Sequence, residues 1–400
     1  MDLMGFEIIT KDGEARLGRL STPHGVVETP SYVVVGTDAH VRCLEPADIP
    51  ETKTQMIISN TYHLWRDLGE EGLATYPGLH AEMGWEGPIM TDSGGFQVFS
   101  MGYGREFGVG KVIPREAPKS MLSVGSPIEA SERSRENLVR VTDSGVYFME
   151  GGEEFYLDPE LSMRIQEQLG ADIIFAFDEP SSPLHDYAYT KKAMERTHAW
   201  ALRSLEAKTS SQLIYGIVQG GLFEDLRLES ARFINALPFD GFAIGGAFGS
   251  SFGSGKGDTF EALRWVTPLL PEGKPRHLLG IGKIEDLFAA VQLGIDTFDC
   301  VIPTREARHG SLWTAKGRFD VVRGRHQNDN SPLAEECGCS ACAEGVRKAD
   351  LYALFKAKDP QAGRFATIHN VYFFNDLMEQ IRNAIREGRF LNFKNSYLSK

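Results

Sequence analysis

Residues 171–180 read ADIIFAFDEP, and residues 214–220 read IYGIVQG. Each is a short apolar, β-rich run that ends in a polar side chain, Asp178 in the first and Gln219 in the second. The segment 190–207 between them repeats its apolar residues at helical spacing. The pattern is typical of two buried parallel strands joined by a helix.

The same unit recurs along most of the chain. Eight β-rich runs alternate with segments long enough for helices: 31–36, 56–60, 89–92, 173–178, 214–220, 242–246, 277–282 and 297–300. Eight such units favour an α/β fold of the (β/α)8 TIM-barrel type, because eight strands can close a ring. An open flavodoxin-like or Rossmann sheet is the alternative, weakened because no run leads into a G-x-G-x-x-G helix opening.

Three segments do not follow this alternation of strands and helices. Residues 6–29 are predicted to form a β-hairpin, and residues 102–150 are predicted to be an insertion that forms a flap over the barrel mouth, with Asp143 as a surface turn residue. Residues 246–257 lack the spacing of a phosphate-binding loop and are interpreted as a Gly/Ser loop. We expect a barrel domain over 1–330 and a second subdomain over 331–400, which contains a cysteine cluster and a C-terminal helix packed on the barrel.

Composition excludes several classes of protein. The chain has 400 residues, 42% hydrophobic and 24% charged, which indicates a large globular core rather than a disordered or fibrous chain. Neither a signal peptide nor an apolar membrane span is apparent, so a cytoplasmic protein without membrane contact is expected. The net charge of −13 argues against broad adhesion to nucleic acid, although residues 301–330 are locally basic.

In a barrel, the side chains at the carboxyl ends of the strands face one pocket. These positions hold carboxylates, amides and glycines: Asn60, Asp92, Asp178, Gln219, Gly245, Gly246, Gly280 and Asp299. A single Asp there is more often a helix cap, but three are unlike a set of caps. A carboxylate beside an amide also suits the donor and acceptor edge of guanine, and Phe96 and Leu279 could stack on the ring.

The region 294–310, GIDTFDCVIPTREARHG, adds cations to this pattern. Asp299 ends a strand, and a loop with Arg305, Arg308 and His309 is predicted to follow. A nucleophile or base next to phosphate anchors would suit a sugar-phosphate substrate. The alternative is an Asp that caps a turn beside a solvated basic loop.

Three of the five cysteines lie within six residues of each other. Cys337, Cys339 and Cys342 in a C-x-C-x2-C spacing, with His369 downstream, match a closed tetrahedral zinc site rather than a secreted disulfide framework. His369 is predicted to open an amphipathic helix. Cys43 and Cys300 are predicted to be core residues.

Several long strings in this chain resemble tRNA-guanine transglycosylases. They include ISNTYHL (58–64), GPIMTDSGGFQVFS (87–100), YGIVQGG (215–221) and GIDTFDCVIPTREARHG (294–310), and the resemblance covers nearly the whole chain in order. It implies a TIM barrel that exchanges guanine at the wobble position of a tRNA anticodon for a 7-deazaguanine. It also implies a structural zinc and, commonly, a homodimer.

The resemblance also implies roles for individual residues. Asp299 matches the nucleophile that attacks ribose C1′, and Asp92 matches the general acid and base. Asp178, Gln219 and Gly246 match base-recognition positions, with Phe96 and Leu279 as the sandwiching side chains and Asn60 and Ser93 as supports. Arg305 and Arg308 match the grip on the anticodon, and Cys337, Cys339, Cys342 and His369 match the zinc ligands.

Departures from the family pattern at Pro180, at 246–251 and at Leu279 leave the incoming base open between 7-aminomethyl-7-deazaguanine and queuine. Two rival functions follow from the same residues. One is a barrel hydrolase that cleaves a nucleoside or glycoside with water. The other is a non-catalytic tRNA-binding partner subunit, which the presence of both Asp92 and Asp299 disfavours.

Overall fold

Eight parallel strands close into a barrel in the computed structural model, which describes residues 4–99, 139–182, 185–245 and 258–399. In ring order they are Ser31–Val35 (β4), Ile57–Ser59 (β5), Ile89–Thr91 (β6), Ile173–Phe175 (β10), Leu213–Val218 (β11), Gly241–Ile244 (β12), Arg276–Leu278 (β13) and Thr297–Asp299 (β14). The predicted TIM barrel is confirmed. The open sheet is excluded because β14 pairs with β4, Phe298 opposite Tyr32.

Alternate residues of each strand enter two different cores. Ile173 and Phe175 pack inside the barrel with Tyr215 and Ala243, whereas Ile174 points outward into the larger core beneath the helices. Both faces of a strand are therefore buried, as expected for an all-parallel sheet. This explains why the strands appear in the sequence as continuous apolar runs rather than as alternating ones.

The outer layer consists of helices that follow the strands. Along the barrel they are Asp48–Glu51, Thr61–Ala74, Leu79–Met83, Pro159–Leu169, Tyr187–Ala207, Glu224–Asn235, Asp258–Val266, Ile284–Gln292 and Ile302–Arg308, with a 3-10 turn at Thr267–Leu269. The last of these helices corrects one prediction, because the segment after Asp299 is helical rather than a loop. Pro303 at its start supplies the fixed φ that favours a first helical turn.

The N-terminal segment forms a three-stranded antiparallel sheet rather than the predicted hairpin: Gly5–Asp12 (β1), Ala15–Thr22 (β2) and Gly25–Thr29 (β3). The extra turn arises at Thr22, whose hydroxyl accepts from His24 N and donates to Gly25 O. Leu20 and Val27 of this sheet join the inner barrel core. Arg16 pairs with Asp296, just before β14, so the sheet covers the amino-terminal end of the barrel.

Residues 139–157 form a second antiparallel sheet, Val139–Val141 (β7), Val146–Glu150 (β8) and Glu153–Leu157 (β9). They include the end of the insertion that the sequence predicts to be a flap; residues 100–138 lie outside the described part of the chain. Asp143, in the β7–β8 turn, has a side chain 92% exposed, which confirms its assignment as a surface residue. The indole of Trp200 donates to Asp143 O at 2.8 Å, so the turn docks on helix Tyr187–Ala207.

The C-terminal part follows a hairpin, Ser311–Thr314 (β15) and Gly317–Asp320 (β16), and a 3-10 turn at Gly324–His326. Its helices are Ser340–Ala343, Lys348–Ala357, Pro360–Arg386 and Phe390–Leu398. His369 lies inside the long third helix, so the prediction that it opens a helix is wrong. Asp359 caps that helix at Gln361 N, and Pro360 lies in the first turn, ten and nine residues before the histidine.

The long helix packs on the barrel. Arg382 donates to Pro30 O at 2.8 Å, and Asn375 donates to Thr52 O at 2.9 Å. A domain boundary at residue 330 stays a prediction. Within the described residues, no helix combines the length and the apolar character that crossing a membrane requires.

Candidate active site

The polar residues predicted at the strand ends lie at the carboxyl end of the barrel, where the structure describes them. Asn60 and Asp92 each follow the last residue of a strand, Gln219 follows β11, and Asp299 is the final residue of β14. Asp178 comes three residues beyond the end of β10. Parallel strands bring their carboxyl ends to one rim, so residues far apart in the sequence meet there.

Asp92 is held by four donors. Its Oδ2 accepts from Asn60 Nδ2 at 2.6 Å and from Gln97 Nε2 at 3.0 Å, and its Oδ1 accepts from Thr61 N at 2.9 Å and Gly94 N at 3.1 Å. Burial raises the pKa of this carboxyl to about 6, although the donors oppose that rise. A smaller increase in the pKa comes from the charge of Asp299, so the two carboxylates are electrostatic neighbours.

Asp178 and Gln219 form a buried pair. Gln219 Nε2 donates to Asp178 Oδ2 at 2.7 Å, and Ser93 Oγ donates to Oδ1 at 3.1 Å. Burial raises the pKa of Asp178 to about 6, against the lowering by these two donors, and the charge of Glu179 raises it further. The buried Oε1 of Gln219 has no hydrogen-bond partner among the residues that the structure describes, which leaves an acceptor at the site.

Asp299 is more exposed than the buried Asp178, with 17% of its side chain accessible. Its Oδ1 accepts from Gly280 N at 3.0 Å and lies 3.1 Å from Nε2 of the fully buried His277. The other ring nitrogen of His277 lies 2.9 Å from Thr297 Oγ1. The strand end thus fixes one oxygen of Asp299 by a backbone donor and an imidazole.

The other residues predicted for the site differ in their exposure and packing. Phe96 is 60% exposed, and Leu279 is half-buried against the inner barrel core. A Cβ on Gly245 would lie 2.8 Å from Gln219 Nε2, so a glycine is needed there for the amide to reach Asp178. Gly246 and the Gly/Ser loop to residue 257 lie outside the described residues.

Cationic side chains follow Asp299 directly. Arg305 and Arg308 lie on the last turn of helix Ile302–Arg308. Beyond it, a cavity of about 410 Å³ is lined by Arg318, Phe319, Asp320, Arg323 and Arg325. Much of the basic character predicted for 301–330 therefore gathers around one hairpin, where Glu306 and Asp320 pair with Arg318 and neutralise part of it.

The predicted metal ligands come together from two separate segments. The Sγ atoms of Cys337, Cys339 and Cys342 lie 3.6, 3.6 and 3.5 Å from His369 Nδ1. His369 Nε2 lies 2.9 Å from Trp313 O, so a backbone carbonyl orients the ring. The group could hold a metal ion. Cys43 and Cys300 lie outside it and are half-buried; Cys300 packs against the larger core, in agreement with its prediction as a core residue, whereas Cys43 does not belong to that core.

The chain is similar to known proteins over nearly its whole length. The family description "Queuine tRNA-ribosyltransferase" matches residues 11–112 and 118–400. The chain belongs to the queuine tRNA-ribosyltransferase family. A relative named putative queuine tRNA-ribosyltransferase, from Archaeoglobus fulgidus, is 43% identical over 96% of this chain and 96% of its own. Queuine tRNA-ribosyltransferases of Herpetosiphon aurantiacus and Caldanaerobacter subterraneus are each 41% identical, over 97% and 100% of this chain and 90% and 98% of theirs.

Three residues that contact the carboxylates of this candidate site in the queuine tRNA-ribosyltransferase family member were not predicted from the sequence: Thr61, Gln97 and His277. Strand pairing sets His277 opposite Thr297, two residues before Asp299 and therefore on the same face. A period-2 reading of the two strands could have suggested the His277–Asp299 contact. Gln97 lies five residues after Asp92 in a short helical segment. No pattern in that segment predicts a contact between the two side chains.

Proposed function

We propose that this chain exchanges guanine at the wobble position of a tRNA anticodon for a 7-deazaguanine, by double displacement through a covalent ribosyl-Asp299 intermediate. One observation carries the proposal: three carboxylates share one barrel rim but differ in environment. Asp299 is partly open to solvent with one oxygen fixed, whereas desolvation raises the pKa of the half-buried Asp92 and of the buried Asp178 to about 6. Carboxylates in different environments can perform different steps of one reaction.

In the first displacement, an oxygen of Asp299 forms a bond to ribose C1′ while the C1′–N9 bond to guanine breaks. The electron pair of that bond leaves with the base. In the second displacement, N9 of the incoming base attacks C1′ from the vacated side and Asp299 departs as a carboxylate. Two inversions retain the configuration at C1′, as in retaining glycosidases.

Asp92 would manage the proton of the base. A departing guanine needs a proton, and an incoming base must lose one, so a single group can give and later recover it. A carboxyl with a pKa of about 6 is suited to both directions near neutral pH. Asn60 supports this role because its amide holds Oδ2 of Asp92 at 2.6 Å.

Asp178 and Gln219 would read the base. N1–H and the exocyclic amine of guanine form a donor pair that one ionised carboxylate can accept. Ser93 and Gln219 orient Asp178 for that contact, and the Gly246 backbone would add a further contact. Phe96 and Leu279 would cover the two faces of the ring, and Arg305 and Arg308 would hold phosphates of an anticodon whose base is splayed out.

The metal that best fits the Cys3His cluster is zinc. Bonds of about 2.3 Å to sulfur and about 2.0–2.1 Å to nitrogen at tetrahedral angles set sulfur and nitrogen roughly 3.5–3.6 Å apart. The three Sγ–Nδ1 separations are 3.5–3.6 Å. Four protein ligands fill a tetrahedron, so a zinc ion here would link residues 337–342 to the long helix and take no part in the reaction.

The proposed function is tested by base exchange. The protein is incubated with unmodified tRNA and radiolabelled guanine, and acid-precipitable label is counted. Incorporation that is chased out by 7-aminomethyl-7-deazaguanine or by queuine is the expected result, and competition between the two bases identifies the preferred one. Release of free guanine from labelled tRNA without incorporation would instead identify a hydrolase.

The affinity for free guanine is expected to fall in acid. Asp178 must be ionised to accept two N–H groups, and its pKa is about 6, so protonation removes the acceptor as the pH decreases. With that pKa, the dissociation constant rises about tenfold between pH 7.5 and pH 5. Equilibrium dialysis measures it without catalysis. Asp178→Asn should bind weakly with no such pH dependence, and an unchanged affinity of the unmodified protein at pH 5 would contradict the assignment.

A further inference from the structure

A second buried carboxylate lies next to the Asp178–Gln219 pair. Glu179, the neighbour of Asp178 in the chain, has a side chain that is 0% exposed. Its Oε1 accepts from Tyr189 OH at 2.8 Å, its Oε2 forms an ion pair with Arg196, and its backbone N donates to Thr197 Oγ1 at 3.0 Å. All three partners belong to helix Tyr187–Ala207.

Arg196 also reaches away from the barrel. Its Nε lies 3.3 Å from Oδ1 of Asp143 in the β7–β8 turn, while the Arg196 side chain is only 9% exposed. Further along the same helix, Trp200 donates to Asp143 O, and Arg203 donates to Ser144 O at 2.7 Å. The guanidinium of Arg196 therefore joins the turn of the inserted sheet to the strand end that carries Asp178.

The adjacent carboxylates Asp178 and Glu179 have different charged neighbours. Asp178 is faced by Ser93, Gln219 and Glu179, and Arg196 and Lys192 are the cations that act on Glu179. Burial raises the pKa of Glu179, and the charge of Arg196 opposes that rise. Two adjacent buried carboxylates repel each other, so without Arg196 the pair Asp178 and Glu179 would bind its first proton at a higher pH and share it between the two groups. A protonated Asp178 loses the paired acceptor that the proposed base contact needs.

We propose that Arg196 is a positioning residue for base recognition, which pairs with Glu179 so that Asp178 stays ionised and directed at the purine. The inference rests on the proposed function, because it assigns Asp178 to the base. It predicts a specific signature. Loss of Arg196 weakens base binding mainly in acid, whereas a general loss of structure would weaken binding at every pH.

The test is the affinity for free guanine of Arg196→Gln, measured by equilibrium dialysis from pH 5 to pH 8. If the loss of the pair raises the midpoint of the acid limb by about one pH unit, binding weakens about fivefold at pH 6 and by less than about 1.5-fold at pH 8. Adding Glu179→Gln to this variant removes the unpaired charge and should restore the original midpoint. Glu179→Gln alone should move the midpoint below that of the unmodified chain.

Arg203→Gln is the matched control. Arg203 lies on the same helix, pairs with Glu160 and holds the same turn, but makes no bond to Glu179. Its loss should leave the midpoint unchanged. The inference is overturned if Arg203→Gln shifts the midpoint as much as Arg196→Gln does, or if no variant at Arg196 or Glu179 shifts it. Should Arg196→Gln fail to fold, the shift in Glu179→Gln alone decides.

Base exchange by the unmodified chain, assayed alongside, separates the two claims. Without exchange the proposed function fails. With exchange and an unshifted midpoint in the variants, only the role of Arg196 fails.

Discussion

Replacing Asp299 by asparagine is expected to lower the rate of base exchange by roughly 10⁴-fold or more, because an amide cannot form the covalent ribosyl ester. The effect should lie in catalysis and not in folding. Asparagine keeps a side-chain oxygen for the Gly280 N donor, which now holds Oδ1 at 3.0 Å. We therefore expect the midpoint of thermal unfolding and the affinity for tRNA to change little.

The covalent step can be read out directly. Incubation with tRNA followed by denaturing electrophoresis should yield a protein–RNA adduct with the unmodified chain and none with Asp299→Asn. Asp225→Asn is a suitable control, since Asp225 forms an exposed hydrogen bond with Tyr187 on the outer helices. An adduct that persists in Asp299→Asn would show that another group attacks C1′, and Asp92 would be the next candidate.

Replacing Cys339 by serine is expected to empty the metal cluster and destabilise the C-terminal part of the chain. Cys339 is fully buried, and its Sγ also accepts from Cys342 N, so it is the most enclosed of the three thiols. Structural zinc contributes on the order of 10–16 kcal/mol in small zinc-binding peptides, as much as the total stability of about 5–15 kcal/mol of a typical domain. We expect bound zinc to fall from one ion per chain to none.

Loss of the ion should also expose the chain between the barrel and the long helix to proteases. The helix itself should stay attached, because Asn375 and Arg382 bind barrel carbonyl groups without the metal. Cys43→Ser is the matched control, as that thiol is half-buried and outside the cluster. Zinc content by elemental analysis and limited proteolysis measure both effects. A full zinc content in Cys339→Ser would exclude the cluster as the binding site.

Much of the architecture could be predicted from local sequence. Strands of three to six residues, buried on both faces, appear as apolar runs, and their polar terminal residues mark the rim where Asp92, Asp178 and Asp299 lie. The metal ligands were also predictable, because three thiolates spaced C-x-C-x2-C lie on one short segment and can converge on a single ion. Both signals are local: they depend on the periodicity of a strand or on the span of a few residues.

The third strand of the N-terminal sheet and the Asp359 cap of the long helix were not predicted, although both have local signals in the sequence. Other features were decided only by the tertiary structure. No local signal pairs His277 with Asp299, or joins Arg196 to both Glu179 and Asp143. These contacts depend on strand register and on how a helix docks, which are set by packing between distant segments. The sequence by itself determined which chemical groups reach the rim; the three-dimensional packing determined which of them touch, and hence their state of ionisation.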